Sequence, residues 1–215
     1  MQAEQKALRA QMNPHFIFNA LSSIQRFIVA KNALQAHEYL SKFGSLIRHI
    51  LDNSKHTFIS IQEEVETLKL YIELEALRFD NSFEYSITID PAIDEYNTEI
   101  PTMIIQPFVE NAIWHGLLHR SSKGKLIIDI QKEKEALVCI IEDNGIGREA
   151  SEEIKKNNVH KIHASAGMEI TEGRLKNLKD STQSNYAVHI HDLKDDSGKA
   201  SGTRVRITFS TKRQD

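Results

Sequence analysis

At 215 residues, with 40% hydrophobic and 27% charged residues, the chain has the size and composition of an ordinary soluble protein with one large domain or two modest ones. Its formal net charge of −3 shows no basic excess, which argues against direct nucleic-acid binding. The single cysteine, Cys139, excludes an internal disulfide framework, and no apolar run approaches the roughly 20 residues needed to span a bilayer. We therefore expect a cytoplasmic location.

The first eight residues have the composition of the middle of a helix. They are rich in strong helix formers and contain no N-cap residue. We therefore expect this chain to be part of a longer protein, and any contact with a membrane to be made only through segments upstream of it.

Two amphipathic helices are predicted in the first third of the chain. Around His15, one face carries Ile17, Leu21, Ile24 and Ile28, and another face is a polar stripe of His15, Asn19, Ser22, Ser23 and Arg26. After a break at which Asn32 is the expected N-cap, a second helix carries apolar residues from Ala36 to Ile50. Because such a hairpin cannot bury both apolar faces alone, we expect a homodimer that forms a four-helix bundle.

The remainder of the chain mixes helices with strands. Ser60 to Glu63 has the form of a capping box and opens a helix that is predicted to reach Phe79. The other expected elements are strands at 83–89, 126–131, 136–142, 188–191 and 205–209, helices at 103–118 and 169–179, and a mobile loop with one short helix at 148–165. This order predicts an α+β fold with the helices on one face of a sheet.

The strongest local motif is Asp143-Asn144-Gly145-Ile146-Gly147, directly after an apolar strand. A carboxylate at a strand end, followed by two glycines, offers an acceptor beside a backbone that a ligand can approach closely. Taken alone, the motif also fits a simple strand-terminating turn.

Three further segments accompany this motif. Upstream, Glu110, Asn111 and Trp114 fall within about one helical turn, and oxygen ligands of this kind suit Mg²⁺. Downstream, Gly167 closes the predicted loop and opens a helix, whose N-terminus can receive phosphate. Finally, Gly202-Thr203 precedes the last strand.

These four segments, in this order, resemble the nucleotide-binding boxes of the GHKL superfamily, over roughly residues 60–210. The resemblance implies a Bergerat-type α/β sandwich that binds ATP and Mg²⁺. It implies that Asp143 bonds the adenine amino group, that Asn111 coordinates Mg²⁺, and that Thr203 lines the adenine pocket. Gly145, Gly147 and Gly167 would let an ATP lid over 148–166 close, and His115 and Gly202 are the remaining nucleotide-binding residues.

The segment from Leu8 to Leu21, LRAQMNPHFIFNAL, resembles the histidine box of the LytS/YehU-type sensor kinases. The resemblance implies that His15 accepts the γ-phosphoryl group. Pro14 removes a helix hydrogen bond just before this residue and favours a kink or a restart there. Asn19, one turn on, is placed to orient the imidazole, while an ordinary surface histidine after Asn-Pro is the alternative for the motif alone.

Two positions depart from the patterns of related kinases. Phe16 follows His15 where the larger kinase class has an acidic residue, so the proton acceptor is unassigned and Glu110 is the candidate. Trp114 stands where related boxes often have lysine. A zinc site at His115 and His119, or at His160 and His163, is disfavoured because neither pair has an accompanying third ligand.

The sequence thus predicts two domains, a dimerising phosphotransfer hairpin at 1–58 and an ATP-binding domain at 59–215. The predicted function is the cytoplasmic catalytic core of an inner-membrane two-component sensor kinase. This protein-histidine kinase phosphorylates itself on His15 and then an aspartate of a response regulator, for which the resemblance implies a LytTR-type domain. The alternatives are a GHKL ATPase or serine kinase, and a pseudokinase that signals by conformation, each with the hairpin only as a dimeriser.

Overall fold

A computed structural model describes residues 14–134, 136–157 and 186–210, with only the backbone described at residues 14, 15, 155–157 and 210. The described residues fall into two compact units. One contains the residues up to Asn81 together with Glu99–Thr102, and the other contains Ser82–Thr98 and the residues from Met103 onward. No helix within the described ranges has the length and apolarity needed to cross a membrane.

Within the described residues, the first unit contains three helices, α1 (Pro14–Val29), α2 (Ala33–Asn53) and α3 (Ile61–Arg78). The Asn32 side chain accepts a hydrogen bond from the backbone N–H of Gln35, so Asn32 caps α2 as predicted. The capping box at α3 is also confirmed, since Ser60 and Glu63 bond each other's backbone N–H groups. These caps satisfy N–H groups that the helices themselves cannot pair.

The buried face of α1 differs from the predicted one. Phe16, Ala20, Ser23 and Phe27 are buried, whereas Leu21 and Ile28 of the predicted apolar face are 52% and 62% exposed. Ser23 belonged to the predicted polar stripe, but its hydroxyl donates to the backbone oxygen of Asn19 and so can be buried without a lost hydrogen bond. Apolar residues on several sides of α1 made the choice of face ambiguous.

The helix α3 belongs to the same compact unit as α1 and α2. Its buried residues include Val65, Leu68 and Ile72, and it packs against α2. The compact unit therefore extends beyond the predicted division at residue 58, which stays a prediction about function. A short antiparallel pair not predicted from the sequence, β1 (Phe58–Ser60) with β3 (Glu99–Pro101), completes the unit.

The second unit is centred on a mixed sheet. Five described strands form it, in the order β2-β4-β5-β7-β6, and only the β2–β4 pair is parallel. The strands are β2 (Phe83–Ile89), β4 (Gly124–Glu133), β5 (Ala136–Asp143), β6 (Tyr186–Lys194) and β7 (Ala200–Ser210). The predicted strands and the hairpin of β4 with β5 are confirmed, and so is the α+β fold class.

Alternate residues of the central strands form the buried side of this sheet. On β5 these are Leu137, Cys139, Ile141 and Asp143, and on β7 they are Val205, Ile207 and Phe209. A helical segment packs on β5 and β7; it comprises α4 (Gln106–Asn111), a π-helical turn (Ala112–Gly116) and a 3₁₀ turn (Leu117–His119). The helix α5 (Arg148–Asn157) packs against the π-helical turn and β7.

The helix predicted from Met103 begins later, at Gln106. Met103 has a φ of 56°, which is left-handed and incompatible with the first turn of a regular helix. The predicted short helix of the 148–165 loop is α5. The helix predicted at 169–179, Gly167 and residues 158–166 of the predicted lid lie outside the described residues.

Candidate functional site

Asp143 is the last residue of β5 and its side chain is only 4% exposed. The backbone N–H of Gly145 donates to its Oδ1 at 2.8 Å, and the backbone N–H of Thr203 also donates to the carboxylate. Burial nevertheless raises the pKa of Asp143 from 3.8 to about 6, because the two hydrogen bonds only partly offset the loss of solvation. A carboxylate held in this way is a rigid acceptor for a ligand donor.

Three glycines allow the backbone to close around Asp143. A Cβ on Gly145 would overlap the backbone of Gly116, and a Cβ on Gly116 would lie 2.6 Å from Asp143 Oδ1. Gly202 has a φ of 142°, and a Cβ there would overlap the backbone oxygen of Asp143. Each position therefore needs glycine for a packing reason, and Gly202 for its conformation as well.

Asn144 links the turn after Asp143 to strand β4 through hydrogen bonds. Its Oδ1 accepts from the backbone N–H of Lys125 at 2.7 Å, and its own N–H donates to the oxygen of Lys125 at 3.2 Å. The Arg120 side chain donates to the backbone oxygen of Asn144. The N–H of Ile146 donates to the oxygen of Gly116 at 3.2 Å, which joins the turn to the helical segment above it.

The helical segment contributes a second wall to the site. Asn111, Ala112, His115 and Gly116 line the pocket that contains Asp143. Glu110 is not among the lining residues, and its carboxylate accepts a hydrogen bond of 3.0 Å from Nε2 of Gln106. The α-to-π transition after Asn111 changes the helical spacing, so the pocket side of this segment could not be derived from a 3.6-residue period.

The pocket has a volume of about 110 Å³. Its floor and one side come from the sheet, through Ile141, Asp143, Ile190, Thr203 and Val205. Phe108 joins the helical wall, and α5 and the residue before it contribute Gly147, Arg148, Ser151 and Glu152. The lining is thus an apolar slot with one deeply placed carboxylate, which suits a flat heterocycle that carries a hydrogen-bond donor.

Several of the residues expected to bind nucleotide meet in this pocket: Asn111, His115, Asp143, Gly147 and Thr203. Gly145 and Gly202 lie behind it, in contact with the backbone at Gly116 and at Asp143. His15 and Asn19 lie on α1 of the first unit. Gly167 falls outside the described residues, so its role stays a prediction.

Sequence reasoning missed Gly116, Asn144 and Arg148. A glycine at the end of an apolar helix was an available signal for Gly116, since glycine weakens a helix unless close packing requires it. Asn144 directly follows a strand, where an asparagine commonly bonds nearby backbone. For Arg148 no local signal existed, because its partner, Asp192, lies 44 positions away.

The donor set fits Mg²⁺ held largely by a nucleotide. Asn111, whose side chain carries an amide oxygen, lines the pocket. Within the described residues, no group of three or more His, Cys, Asp or Glu side chains is placed to hold a metal ion. Mg²⁺ is usually bound by one or two protein ligands together with phosphates and water, so a single amide is compatible with it.

Three comparisons place the chain among known proteins. Residues 3–83 match the family model described as "Histidine kinase". The sensor protein LytS of Staphylococcus saprophyticus is 34% identical over 160 residues, which are 74% of this chain and 27% of that protein. The sensor histidine kinase BtsS of Escherichia coli K12 is 32% identical over 143 residues, 66% of this chain and 25% of that protein.

A solved structure described as a bacterial phosphotransferase aligns over 96% of both chains with a TM-score of 0.50 and 10% identity, a likeness that concerns the fold alone. The chain spans about a quarter of the length of the curated relatives it matches. Over about three quarters of its length the chain is therefore similar to the LytS-type sensor histidine kinases, and residues 3–83 match the histidine kinase family model.

Proposed function

We propose that this chain is the catalytic core of a two-component sensor histidine kinase that transfers the γ-phosphoryl group of ATP to His15. The observation that carries the proposal is the pocket that Asp143, buried at a strand end, lines together with Asn111 and His115. An apolar slot with a single buried carboxylate is suited to a purine that carries an amino group. The match of residues 3–83 to the histidine kinase family model includes His15 on α1 and supports it as the acceptor.

In this proposal, each wall of the pocket has its own role. Asp143 accepts a hydrogen bond from the adenine amino group, and Thr203 lies beside the base. Asn111 binds Mg²⁺, which when present neutralises charge on the phosphates. Gly145, Gly147 and Gly202 keep the backbone close to the ligand, and His115 adds a polar group to the helical wall.

The chemical step is a phosphoryl transfer. A ring nitrogen of His15 attacks the γ-phosphorus, the bond between that phosphorus and the bridging oxygen breaks, and ADP leaves. The imidazole gives up a proton, for which Glu110 is the proposed acceptor. Asn19, one turn along α1, is the proposed orienting residue. Most of the rate comes from alignment of the reactants and from charge neutralisation.

We propose a homodimer formed through the hairpin of α1 and α2. This proposal is supported by large apolar side chains that the described chain leaves exposed on these two helices: Phe18, Leu21, Ile28, Val29, Leu34 and Leu40. A second copy would cover them and complete a four-helix bundle.

The phosphoryl group then passes from His15 to an aspartate of a response regulator, which we propose to be of the LytTR type. The surface of the hairpin that the second copy would not cover is the proposed docking region for this partner. Because ATP is the donor, we place the reaction on the cytoplasmic side of an inner-membrane sensor.

The test is incubation of the chain with Mg²⁺ and ATP labelled at the γ-phosphate. The expected product is a protein-bound label that is lost in acid and retained in alkali, as a phosphohistidine behaves. His15→Ala should abolish the label. The matched control is His37→Ala, because His37 is an exposed histidine on α2 and should not be needed.

The alternative functions give different results in the same experiment. Free phosphate without protein-bound label would identify an ATPase, and acid-stable label would identify a serine kinase. ATP binding without either product would identify a conformational signalling protein. Any of these outcomes would overturn the kinase proposal.

A further inference from the structure

Arg148, the first residue of α5, lines the pocket and pairs with the carboxylate of Asp192 on strand β6. Its Nε donates to Asp192 Oδ1 at 2.7 Å and its Nη2 donates to Oδ2 at 2.6 Å. This two-point pairing fixes the plane of the guanidinium, which a single contact would leave free to rotate. Asp192 lies on β6 and is not among the residues that line the pocket.

The ion pair between Arg148 and Asp192 is too exposed to contribute much to the folding stability of the chain. The Arg148 and Asp192 side chains are 50% and 37% exposed, and pairs exposed to this degree contribute little to folding. The pairing with Asp192 uses Nε and Nη2 of Arg148, so the flat faces of the guanidinium lie outside this pair. An arginine guanidinium stacks well on flat aromatic rings.

The charges around Arg148 favour a base over a phosphate as this partner. Asp143 and Glu152 line the same cavity, and Asp192 already neutralises Arg148. A phosphate would therefore meet carboxylates on several sides, whereas a neutral heterocycle would not. The apolar lining of Phe108, Ile141, Ile190 and Val205 also matches a flat ring.

We propose that Arg148 binds the purine base of the nucleotide with its guanidinium, and that Asp192 is a positioning residue that holds that guanidinium in the plane required. This inference rests on the proposed nucleotide site and adds two residues to it. Lysine cannot replace Arg148, because an ammonium group has neither a flat face nor the two-point geometry.

The experiment measures the dissociation constants of adenosine and of ATP with Mg²⁺ by calorimetry on the full chain. Arg148→Lys should raise the dissociation constants of both ligands by the same factor, about tenfold. Asp192→Asn should weaken both by a smaller common factor. The control is Arg206→Lys. Arg206 also forms an ion pair, with Glu133 at 2.6 Å, but it directly follows the pocket-lining Val205 on β7, so its side chain lies on the opposite face of the sheet. It should leave both constants unchanged.

Exchanging the two charged residues distinguishes a role of Arg148 in ligand binding from a purely structural role, in which the ion pair only links α5 to β6. The double variant Arg148→Asp with Asp192→Arg can re-form an ion pair between α5 and β6, but it moves the cation out of the pocket. Binding should stay weak in this variant while its melting temperature returns toward that of the wild type. Restored binding would overturn the proposal and would show that the ion pair acts only by linking α5 to β6.

The two ligands distinguish the remaining cases. A loss confined to ATP in Arg148→Lys would mean a phosphate contact and would overturn the base contact. Unchanged affinities in Arg148→Lys, with binding lost in Asp143→Ala, would overturn the inference and leave the proposed site standing. A wild-type chain that binds neither ligand would overturn the nucleotide site itself.

Discussion

Asp143 is a carboxylate that the fold withdraws from water, and this decides how the second unit responds to pH. Desolvation raises its pKa from 3.8 to about 6, so the folded state favours the protonated form. Between these two values the folded chain binds more protons than the unfolded chain at this position. The stability contributed by protonation is present below about pH 4 and is lost as the pH rises to about 6.

Asp143→Asn should remove this dependence. The pKa difference corresponds to roughly 3 kcal/mol of unfolding free energy, and the difference between variant and wild type should grow by about that amount from pH 4 to pH 7. Urea unfolding followed by the fluorescence of Trp114, the single tryptophan, gives the measurement for the unit that contains the pocket. A constant difference across this pH range would contradict the raised pKa.

At the scale of the element, α1 is fixed by the residue that follows the proposed phosphoacceptor. Phe16 is buried, with its ring centroid 5.3 Å from that of Tyr71 on α3 and 6.1 Å from that of Phe43 on α2. The position that carries an acidic residue in other kinases thus carries an aromatic anchor here. Such an anchor holds the helix backbone that presents His15.

Phe16→Ala should lower the free energy of unfolding by about 3–5 kcal/mol, because it leaves a cavity among three packed elements. Circular dichroism during thermal or urea unfolding measures this loss. Tyr96→Ala is the matched control, since Tyr96 is a 69% exposed aromatic residue and its loss should cost about 0.5 kcal/mol or less. Equal effects of the two substitutions would argue against the anchor.

At the scale of the whole molecule, the proposed dimer follows from the apolar residues left exposed on the hairpin. Replacing both Phe18 and Leu21 with Glu should convert a dimer into a monomer, because charges would be buried without partners in the bundle. Light scattering after size-exclusion chromatography measures the mass. Tyr96→Glu, a change at an exposed aromatic elsewhere, should leave the dimer intact, and a monomeric wild type would contradict the proposal.

The sequence predicted most of the architecture because its signals there are local. Alternating apolar residues predicted the strands, and the caps at Asn32 and Ser60 predicted the helix starts. The motif at Asp143 to Gly147 located the pocket because carboxylate and glycines are neighbours in the chain. Each of these depends on residues within one element or one turn.

The features that were missed depend on distant contacts or on a change of helical period. The packing face of α1 depends on Phe43 and Tyr71 from other helices. The π-helical turn at Ala112–Gly116 ends at Gly116, whose backbone lies close to Gly145 from a distant part of the chain. The pairing of Arg148 with Asp192 joins two elements whose proximity only the fold establishes.

Asp143 lies in the same row as Leu137, Cys139 and Ile141 on β5, so the pocket is a continuation of the core of its unit. A base bound there would take the place of the next core side chain in that row. Nucleotide binding would then resemble the last step of folding, with the negative heat-capacity change that accompanies burial of apolar surface. The empty and occupied forms would differ in how completely this core is filled.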